Sequence, residues 1–548
     1  MENLPDEVLL LIFENLTQCK PRYWRTRTQR LRPLTLVSRR LHRIATPMLY
    51  EHIQGSKFLA SESWVGLAKT LHQNTNLAQH VKSINAQFAS FPYREYPPHD
   101  LLLNLMKLWD MVQKLHIADI YELEKRSRSY CDNILLTFWV LLCERLETLV
   151  MNLSNDSWIG EVGGTRTGTL PLAVEELGRA IYADLDSGGR RYDCLRTLNI
   201  SLTEWSCFHL TIAVPFLSLP NLKTLALAGE GSYARLRTPF YGREPEYPVR
   251  TSSVEHVHLK FAADAKTKPS DLVNLLLACK ALKRFDCLIF WSPIPEEWFE
   301  AVSKSLQIHS NTLQFLTLSY SSPDDENLIS NSSCLPEYLR NMDKLTHVDV
   351  PYATLFRNHD VSNIAQLLPP SLEFLTLRLE PQVDMADWAA MDAIIEHTSS
   401  AIYIAYQEGV FPNLEAVEIM LYHGSWYHPQ PRQFAIPKFN IEHTRSALRS
   451  HGVHFDVSLY YDWHEGYADD PTPEFPATIP TMRAFKWRFP GFVRWSPHHH
   501  QLRASTCEEP QIERDIWDWG VYRWSPHVPP YQPWDWENEE SPELPDTA

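Results

Sequence analysis

Apolar residues recur along most of the chain as a triplet at positions i, i+3 and i+5. Eleven triplets share this pattern, and successive triplets begin 27 to 49 residues apart. Their first residues are Val81, Val112, Leu146, Leu195, Leu222, Val254, Leu282, Leu313, Leu345, Leu372 and Leu414. The last two positions of a triplet alternate with polar ones, which is typical of a β-strand with one buried face. Because 44% of the residues are hydrophobic, the prediction of repeated strands depends on recurrence rather than on any one triplet.

A helical or turn-rich run precedes each predicted strand, as in residues 270–288 and 296–318. Repeated units of helix and strand favour the α/β class, and one such unit cannot bury its apolar face alone, so the units must stack. The strand pattern resembles irregular leucine-rich-repeat arrays. This resemblance implies a solenoid over residues 54–460, with parallel strands on a concave face and helices on a convex face.

The residues between the apolar positions of each triplet are expected to point away from the core and to line the concave face. The candidates for binding a target there, with the strand ends included, are His256, His258, Lys260, Arg284, Asp286, Trp291, Tyr320, Asp349, Arg378 and Glu418. The same reasoning adds Ser83, Lys114, Asn199, Trp205 and His347. Taken singly, such a residue is more often an ordinary solvated surface residue than a contact, but as a set they define where a protein or peptide could lie.

Near the start of the chain the apolar spacing changes to that of amphipathic helices. The first stripe consists of Leu4, Val8, Leu9, Ile12, Phe13 and Leu16, and Pro5 suits the first turn. A second stripe consists of Leu34, Val37, Leu41 and Ile44. Pro47 is expected to end that helix, because a proline restricts the residue before it. Two or three short helices over about 50 residues are near the lower limit for an independent core, so this unit is expected to need a partner surface.

These two stripes carry a resemblance to the F-box motif, which covers residues 3–53. Together with the repeats, the chain resembles F-box proteins of the fungal type that carry leucine-rich-repeat-like arrays. The resemblance implies docking on the Skp adaptor of an SCF-type cullin ubiquitin ligase. The implied adaptor-binding residues are Leu4, Pro5, Val8, Ile12, Leu16, Leu36 and Val37. Residues 19–30 depart from the family, because a polar, basic stretch replaces a short connection. The alternative is an ordinary cap on the following domain.

Positive charge is concentrated between Glu14 and Glu51, where no acidic residue occurs. The basic residues there are Lys20, Arg22, Arg25, Arg27, Arg30, Arg32, Arg39, Arg40 and Arg43. Three interpretations of such a segment stay open: it attracts an acidic partner, it binds nucleic acid, or it is a solvated basic face. Only Tyr23 and Trp24 are interleaved aromatics, too few for a base-stacking surface. The net charge of −16 also disfavours nucleic acid as a partner.

Residues 461–548 form a third segment, rich in tryptophan and proline, in which the periodicity fails. Proline at this density disfavours regular structure. The tail is interpreted as an extended cover of the terminal repeat or groove, since exposed repeat ends need capping. The alternatives are an aromatic recognition patch or a carbohydrate-binding module. His498, His499 and His500 are adjacent, so they cannot all face one ion on regular backbone, and no metal site is predicted.

Composition restricts the class of protein further. At 548 residues the chain is too long for one core. Nine scattered cysteines without a CxxC pair, and an acidic N-terminus, indicate an intracellular protein of the cytoplasm or nucleus. The most apolar stretch, Ile134–Cys143, is ten residues long, too short for a bilayer, so a buried helix is expected there and no membrane association.

Catalytic motifs and a phosphate-binding loop are missing from the sequence, so no enzymatic activity and no cofactor are expected. The sequence therefore predicts a substrate-recognition subunit for ubiquitin-dependent degradation. In it, residues 1–53 hold the adaptor and residues 54–460 hold an unidentified target protein. Two alternatives stay open. One is a repeat scaffold that binds a protein without ubiquitin transfer, and the other is a ligand-binding or enzymatic protein that uses the tryptophan-rich tail.

Overall fold

A computed structural model gives the structure of the chain and describes most of its repeated region. The described residues are 4–17, 24–55, 62–87, 131–154, 172–207, 210–231, 246–262, 269–290, 296–321, 339–356, 361–379, 388–423, 442–461 and 482–486. Three short helices at the N-terminus lead into a mixed α/β array built on one parallel sheet. No helix within these residues is long and apolar enough to cross a membrane.

The sheet contains thirteen strands whose spatial order is their order in the chain, and every pairing is parallel. The strands are β1 (His52–Gly55), β2 (Ser83–Gln87), β3 (Thr148–Ser154), β4 (Thr197–Cys207), β5 (Thr224–Gly231), β6 (His256–Ala262), β7 (Arg284–Phe290), β8 (Phe315–Ser321), β9 (His347–Pro351), β10 (Phe374–Leu379), β11 (Ala416–His423), β12 (His454–Tyr461) and β13 (Met482–Lys486). The predicted α/β class and parallel strands are confirmed.

Helices connect most of the strands, as parallel pairing requires a crossover between neighbours. The N-terminal helices are α1 (Asp6–Thr17), α2 (Trp24–Val37) and α3 (Arg39–Tyr50). The others are α4 (Glu62–Gln73), α5 (Thr75–Ala78), α6 (Cys131–Leu142), α7 (Leu172–Ser187), α8 (Val214–Leu217), α9 (Pro269–Ala278), α10 (Glu296–Gln307), α11 (Tyr352–Leu355), α12 (Ile364–Leu367), α13 (Trp388–Gln407) and α14 (Glu442–Ser450), with a 3-10 turn at Leu210–Ala213. The buried side chains of α6 confirm the buried helix expected over its apolar stretch.

One face of the sheet belongs to a core that runs through the whole array. Along β6, Val257 and Leu259 are buried, and they belong to the same apolar cluster as Leu272 and Leu275 of α9. The residue before each of the strands β2 to β11 extends the hydrogen-bond ladder between repeats. The Glu255 amide, for example, donates to the carbonyl of Lys223 (2.9 Å). The alternation of the sequence thus becomes a two-faced sheet with one face buried.

Ten of the eleven predicted triplets end on strands of this sheet, and the Val112 triplet lies outside the described residues. The structure adds strands that the triplet pattern missed, at both ends of the sheet. In β12 the first triplet position is Gly452, which adopts a φ of +84° directly after α14. A left-handed residue that ends a helix favours glycine over an apolar residue, so the triplet rule fails there.

Side-chain hydroxyls reinforce the joint between adjacent repeats. In three repeats a serine or threonine stands directly before the first residue of the triplet. Its hydroxyl donates to the backbone carbonyl of the first residue of the preceding triplet. The bonds run from Ser253 Oγ to Leu222 O (2.9 Å), from Thr312 Oγ1 to Leu282 O (2.8 Å), and from Ser371 Oγ to Leu345 O (2.8 Å). Because these carbonyls lie outside the strand ladder, the hydroxyls satisfy backbone acceptors at the turns.

His309 makes a related joint in the interior. The side chain is buried, its Nε2 lies 3.0 Å from the Leu276 carbonyl, and its Nδ1 accepts from the Leu282 amide (3.4 Å). This pair of bonds fits the neutral imidazole with the proton on Nε2. Burial lowers the pKa of His309 from its ordinary value, against the opposing effect of the Leu276 carbonyl.

Acidification is therefore expected to weaken the fold through His309. Its folded pKa lies below the unfolded value of about 6.5, so the unfolded chain binds more protons as pH falls through this window. The contribution of neutral His309 to stability is therefore complete above the unfolded-state pKa and is lost as the pH falls through the folded-state pKa. Urea midpoints measured from neutral pH down to about pH 5 should fall more steeply for the wild type than for His309→Gln. The control His80→Gln, at an exposed histidine, should keep the wild-type slope, and equal slopes for all three chains would contradict the prediction.

The N-terminal helices have a small core of their own. It consists of Leu9, Phe13, Leu31, Leu41, Ile44, Ala45 and Met48. This cluster is separate from the core of the sheet, although α3 leads directly into β1 and contacts it. β1 begins at His52 and pairs with β2, so the sheet starts inside the segment that the sequence assigns to the F-box. β13 lies beyond residue 460, within the predicted tail.

Two predictions about these helices are wrong. The stripe from Leu34 to Ile44 belongs to two helices, because the backbone is extended at Ser38, whose Oγ accepts from the Leu41 amide (3.2 Å) and caps α3. Pro47 does not end the second helix, since α3 continues to Tyr50. Residues on both sides of Pro47, Ile44 and Met48, are buried in the small core, and this tertiary packing outweighs the lost backbone bond.

The basic stretch at residues 19–30 is not wholly a loop. α2 begins at Trp24, so the second half of the inserted stretch is helical, and residues 18–23 lie outside the described part. Leu31, on the next turn of α2, is buried against α1 and α3. The insertion therefore lengthens a helix that packs in the N-terminal unit.

Candidate functional sites

The N-terminal helices leave a group of large apolar side chains outside their core. Leu36 is 81% exposed, Val37 is 68% exposed and Leu11 is 58% exposed. The full set within the described N-terminal helices is Val8, Leu10, Leu11, Leu16, Leu36 and Val37. Isolated exposed leucines are common, and six large exposed apolar side chains on three short helices are a high density of exposed apolar surface. We call these six residues the apolar patch.

The predicted adaptor-binding residues divide between this patch and the small core. Val8, Leu16, Leu36 and Val37 belong to the apolar patch, and Pro5 is exposed. In contrast, Leu4 and Ile12 pack against the buried cluster. Leu10 and Leu11 belong to the patch but were not predicted. They lie in a run of apolar residues where no polar position shows which side of α1 faces the core, so sequence alone offers little signal for them.

An ion-pair cluster fixes α1 against α3. Asp6 Oδ1 lies 2.6 Å from Arg40 Nη2, and Asp6 Oδ2 lies 2.5 Å from Arg43 Nη2. Arg40 also donates to the carbonyl of Leu4. The hydrogen bond from Arg40 is the main cause that lowers the pKa of Asp6, with Arg43 acting in the same direction. Asp6 thus neutralises two of the arginines in the basic segment and positions the start of α1.

The second candidate site is the sheet face opposite the core, which we call the polar face. It is formed by the residues that alternate with the buried strand residues, and it includes the predicted His256, His258 and Lys260 of β6. Because the strands are in register, His258, Asp286 and Thr317 are neighbours on β6, β7 and β8. Asp349 and Glu418 continue the same row on β9 and β11, with Thr376 of β10 between them. The register therefore brings together residues that are 27 or more positions apart in sequence.

At the centre of the polar face, the Asp286 carboxylate contacts a histidine and an arginine. Its Oδ2 lies 2.6 Å from His258 Nδ1 and 2.8 Å from Arg284 Nε. His258 is 6% exposed and Asp286 is 2% exposed, so the expectation that both project into solvent is wrong. Burial opposes ionisation, but Arg284 and His258 together hold the pKa of Asp286 well below its usual range. Asp286 is therefore a buried structural anion, since its carboxylate is already paired.

Arg378 is held in a similar way further along the sheet, on β10. Its Nε lies 2.7 Å from Asp349 Oδ1 and its Nη2 lies 2.5 Å from Asp349 Oδ2, a bidentate pair between β10 and β9. Both side chains are partly exposed. Two of the predicted target-binding arginines are therefore neutralised by aspartates of the same face.

A row of planar groups lies along one edge of the polar face. The Arg284 guanidinium carbon is 5.4 Å from the ring centroid of Phe315. The His347 ring lies 4.3 Å from the rings of both Phe315 and Phe374, and it is stacked on Phe374. These groups come from four consecutive strands, β7 to β10. The two phenylalanines were not predicted, because an apolar residue at an outward strand position is indistinguishable from a core residue in sequence.

Some predicted residues lie outside what the structure describes. Trp291 follows β7 in the sequence and lies outside the described residues. Lys114, in the stretch between β2 and β3, also lies outside them. Tyr320 belongs to β8 and Trp205 to β4, but their side chains are outside the described part. Among the side chains that are described, no group of three or more histidine, cysteine, aspartate or glutamate residues could hold a metal ion.

Comparison with known proteins identifies the N-terminal unit. Residues 1–54 match the family described as F-box-like. This match covers α1, α2 and α3, the small core and the apolar patch, and it confirms the F-box resemblance of the N-terminal helices. A search of curated proteins finds no match to this chain. An F-box-like domain thus precedes a parallel, repeat-like sheet.

Removing the Asp286 carboxylate is expected to destabilise the sheet more than removing that of Asp349. Asp286→Ala leaves two partners of a buried network without their anion, which costs about 3 kcal/mol. Asp349→Ala removes a partly exposed pair, which costs about 1 kcal/mol or less. Urea unfolding of both variants at neutral pH provides the comparison. Equal destabilisation would show that the centre of the polar face does not depend on its buried anion.

Proposed function

We propose that this protein is the substrate-recognition subunit of an SCF-type ubiquitin ligase. Its F-box-like domain docks the Skp adaptor, and its repeat array, a leucine-rich-repeat-like solenoid, holds a target protein. The observation that carries the proposal is the coincidence of two independent features in residues 1–54. These residues match an F-box-like family, and their helices expose the apolar patch. F-box domains in general bind a Skp adaptor within SCF complexes.

The energetics of the apolar patch favour this role. Leaving Leu36 and Val37 in water has a cost that burial against a partner removes, at about 25 cal/mol per Å² of apolar surface. The two residues lie at the C-terminal end of α2, next to the break at Ser38. The small core does not use them, so a partner contacts them without unfolding the domain. This separation of core and patch suits a docking surface.

The polar face supports the target-binding half of the proposal. Repeat arrays bind partners along their extended strand surfaces, and here that surface carries charged residues, histidines and a row of rings in contact. Arg284 and Arg378 are paired with aspartates, so the face presents mixed charge. A folded protein or peptide with both polar and aromatic contacts fits such a surface better than a polyanion does.

The contribution of the chain to catalysis is proximity. A receptor that binds the adaptor at one end and a target at the other raises the local concentration of the target's lysines near the ubiquitin-conjugating enzyme. No residue of the chain takes part in bond formation under this proposal, and no cofactor is required. The complex acts in the cytoplasm, the nucleus or both.

Charge placed in the apolar patch is expected to abolish adaptor binding. Leu36→Asp combined with Val37→Asp puts two carboxylates into an interface that must desolvate, while the small core stays intact because neither residue belongs to it. Co-purification of the full chain with a Skp adaptor gives the readout. Leu4 and Ile12 are less suitable targets, because they pack against the core.

The matched control places the same charges on exposed apolar residues of the repeat array. Leu185→Asp combined with Ile404→Asp alters residues that are exposed on α7 and α13, so adaptor binding should be unchanged. Retention of the adaptor by the Leu36→Asp, Val37→Asp chain at wild-type level would remove the docking half of the proposal. The absence of any complex with the wild-type chain would do the same.

Target capture is expected to depend on the polar face. A chain with Leu36→Asp and Val37→Asp keeps its targets without passing them to the ligase, so it should enrich proteins whose cellular abundance rises when this chain is deleted. Adding Lys260→Glu and Glu418→Lys exchanges two charges on the polar face without changing the net charge, and this should release those proteins. Mass spectrometry identifies and compares the proteins that the two variants capture. An unchanged set of proteins would place target binding elsewhere.

A further inference from the structure

The basic segment of the N-terminal unit borders the apolar patch directly. Arg32 lies four residues before Leu36, one turn earlier on α2, and Arg39 begins α3 two residues after Val37. Both arginines are exposed. Leu36 and Val37, two of the most exposed large apolar residues in the described part of the chain, therefore have an exposed arginine on each side in the sequence.

These two arginines differ from their neighbours in how their charge is used. Asp6 neutralises Arg40 and Arg43, and Arg30 donates to the Leu16 carbonyl (2.9 Å). Within the described residues, neither Arg32 nor Arg39 has a side-chain ion pair or hydrogen bond. No acidic residue occurs in the sequence between Glu14 and Glu51 that could serve them locally. The charge of Arg32 and Arg39 thus remains available to a partner.

We propose that the partner that covers Leu36 and Val37 carries carboxylates beside its apolar contact surface, and that Arg32 and Arg39 bind these carboxylates. This inference rests on the proposed function and gives the chemistry of the docking partner: an adaptor surface with an apolar centre and an acidic rim. The two arginines supply a charged rim around an apolar centre, the usual arrangement of a protein interface.

Nucleic acid is the other class of partner for exposed arginines, and the structure favours it less. Leu36 and Val37 lie between the two arginines in the sequence, and a phosphate backbone bound by the arginines would leave these apolar side chains uncovered. The whole chain carries a net charge of −16, which repels a polyanion over longer distances. An acidic protein surface with an apolar centre satisfies both the arginines and the leucine–valine pair.

Electrostatic rims act mainly on the rate of association, so kinetics test the proposal. The association of the full chain with purified Skp adaptor is measured at about 0.1 M and about 1 M salt, where the Debye length falls from about 10 Å to about 3 Å. Arg32→Glu combined with Arg39→Glu should slow association roughly tenfold at the lower salt concentration. At the higher concentration the variant and the wild type should converge, with dissociation rates nearly equal throughout.

The control reverses two exposed arginines of the repeat array, Arg145→Glu with Arg196→Glu. This variant has the same net charge as the first, so it should associate at close to the wild-type rate. Equal association rates for all three chains would overturn the inference. So would a wild-type association rate that is the same at both salt concentrations. Loss of binding to a short single-stranded DNA in the Arg32, Arg39 variant, with adaptor kinetics unchanged, would overturn it in favour of nucleic acid.

The outcomes also separate this inference from the proposed function. If Leu36→Asp with Val37→Asp abolishes adaptor binding while the arginine reversals change nothing, the docking function stands and the acidic rim is rejected. If the wild-type chain does not bind the adaptor at all, both are rejected. If slower, salt-sensitive association follows the arginine reversal alone, both are supported.

Discussion

Each strand of the sheet finds its hydrogen-bond partners only in neighbouring repeats, and this constraint shapes the rest of the molecule. A strand such as β6 is bonded to β5 and β7, in parallel and in register, and its apolar side chains are buried only because helices of adjacent units share the same core. No repeat is stable alone, so the array must be continuous from β1 onward. The F-box-like helices differ, because they close a small core of their own and leave six large apolar side chains exposed.

Much of the repeat array could be predicted from sequence, because its stability depends on a local pattern. Each predicted strand has two buried positions and is preceded by a third apolar residue. This pattern recurs often enough to predict ten of the strands. The pattern fails where another requirement takes precedence at a triplet position. Gly452 is the example, since the left-handed end of α14 requires glycine where an apolar residue would otherwise stand.

The chemistry of the polar face was less predictable, because it depends on register between distant residues. Asp349 and Arg378 are 29 positions apart, and nothing in either local sequence shows that they form a bidentate pair. Asp286 and His258 were expected on a solvated surface, yet the structure buries both. Phe374 stacks on His347 and Phe315 contacts the same ring at a tilt, although both phenylalanines look like core residues in the sequence. In the N-terminal unit, the Ser38 cap decides which residues of the second stripe are buried, and the periodicity alone does not reveal it.

Under the proposed function, this division of the chain gives each region one binding role. The described sheet holds two arginine–aspartate pairs on a mixed polar and aromatic face, while the N-terminal helices expose Leu36 and Val37. Hydrogen–deuterium exchange of the full chain, with and without purified Skp adaptor, measures this division most directly. Protection should appear in peptides that span Arg32 to Arg39 and in α1, with the amides of β3 to β11 unchanged. Protection of the strands alone, or of no segment, would contradict it.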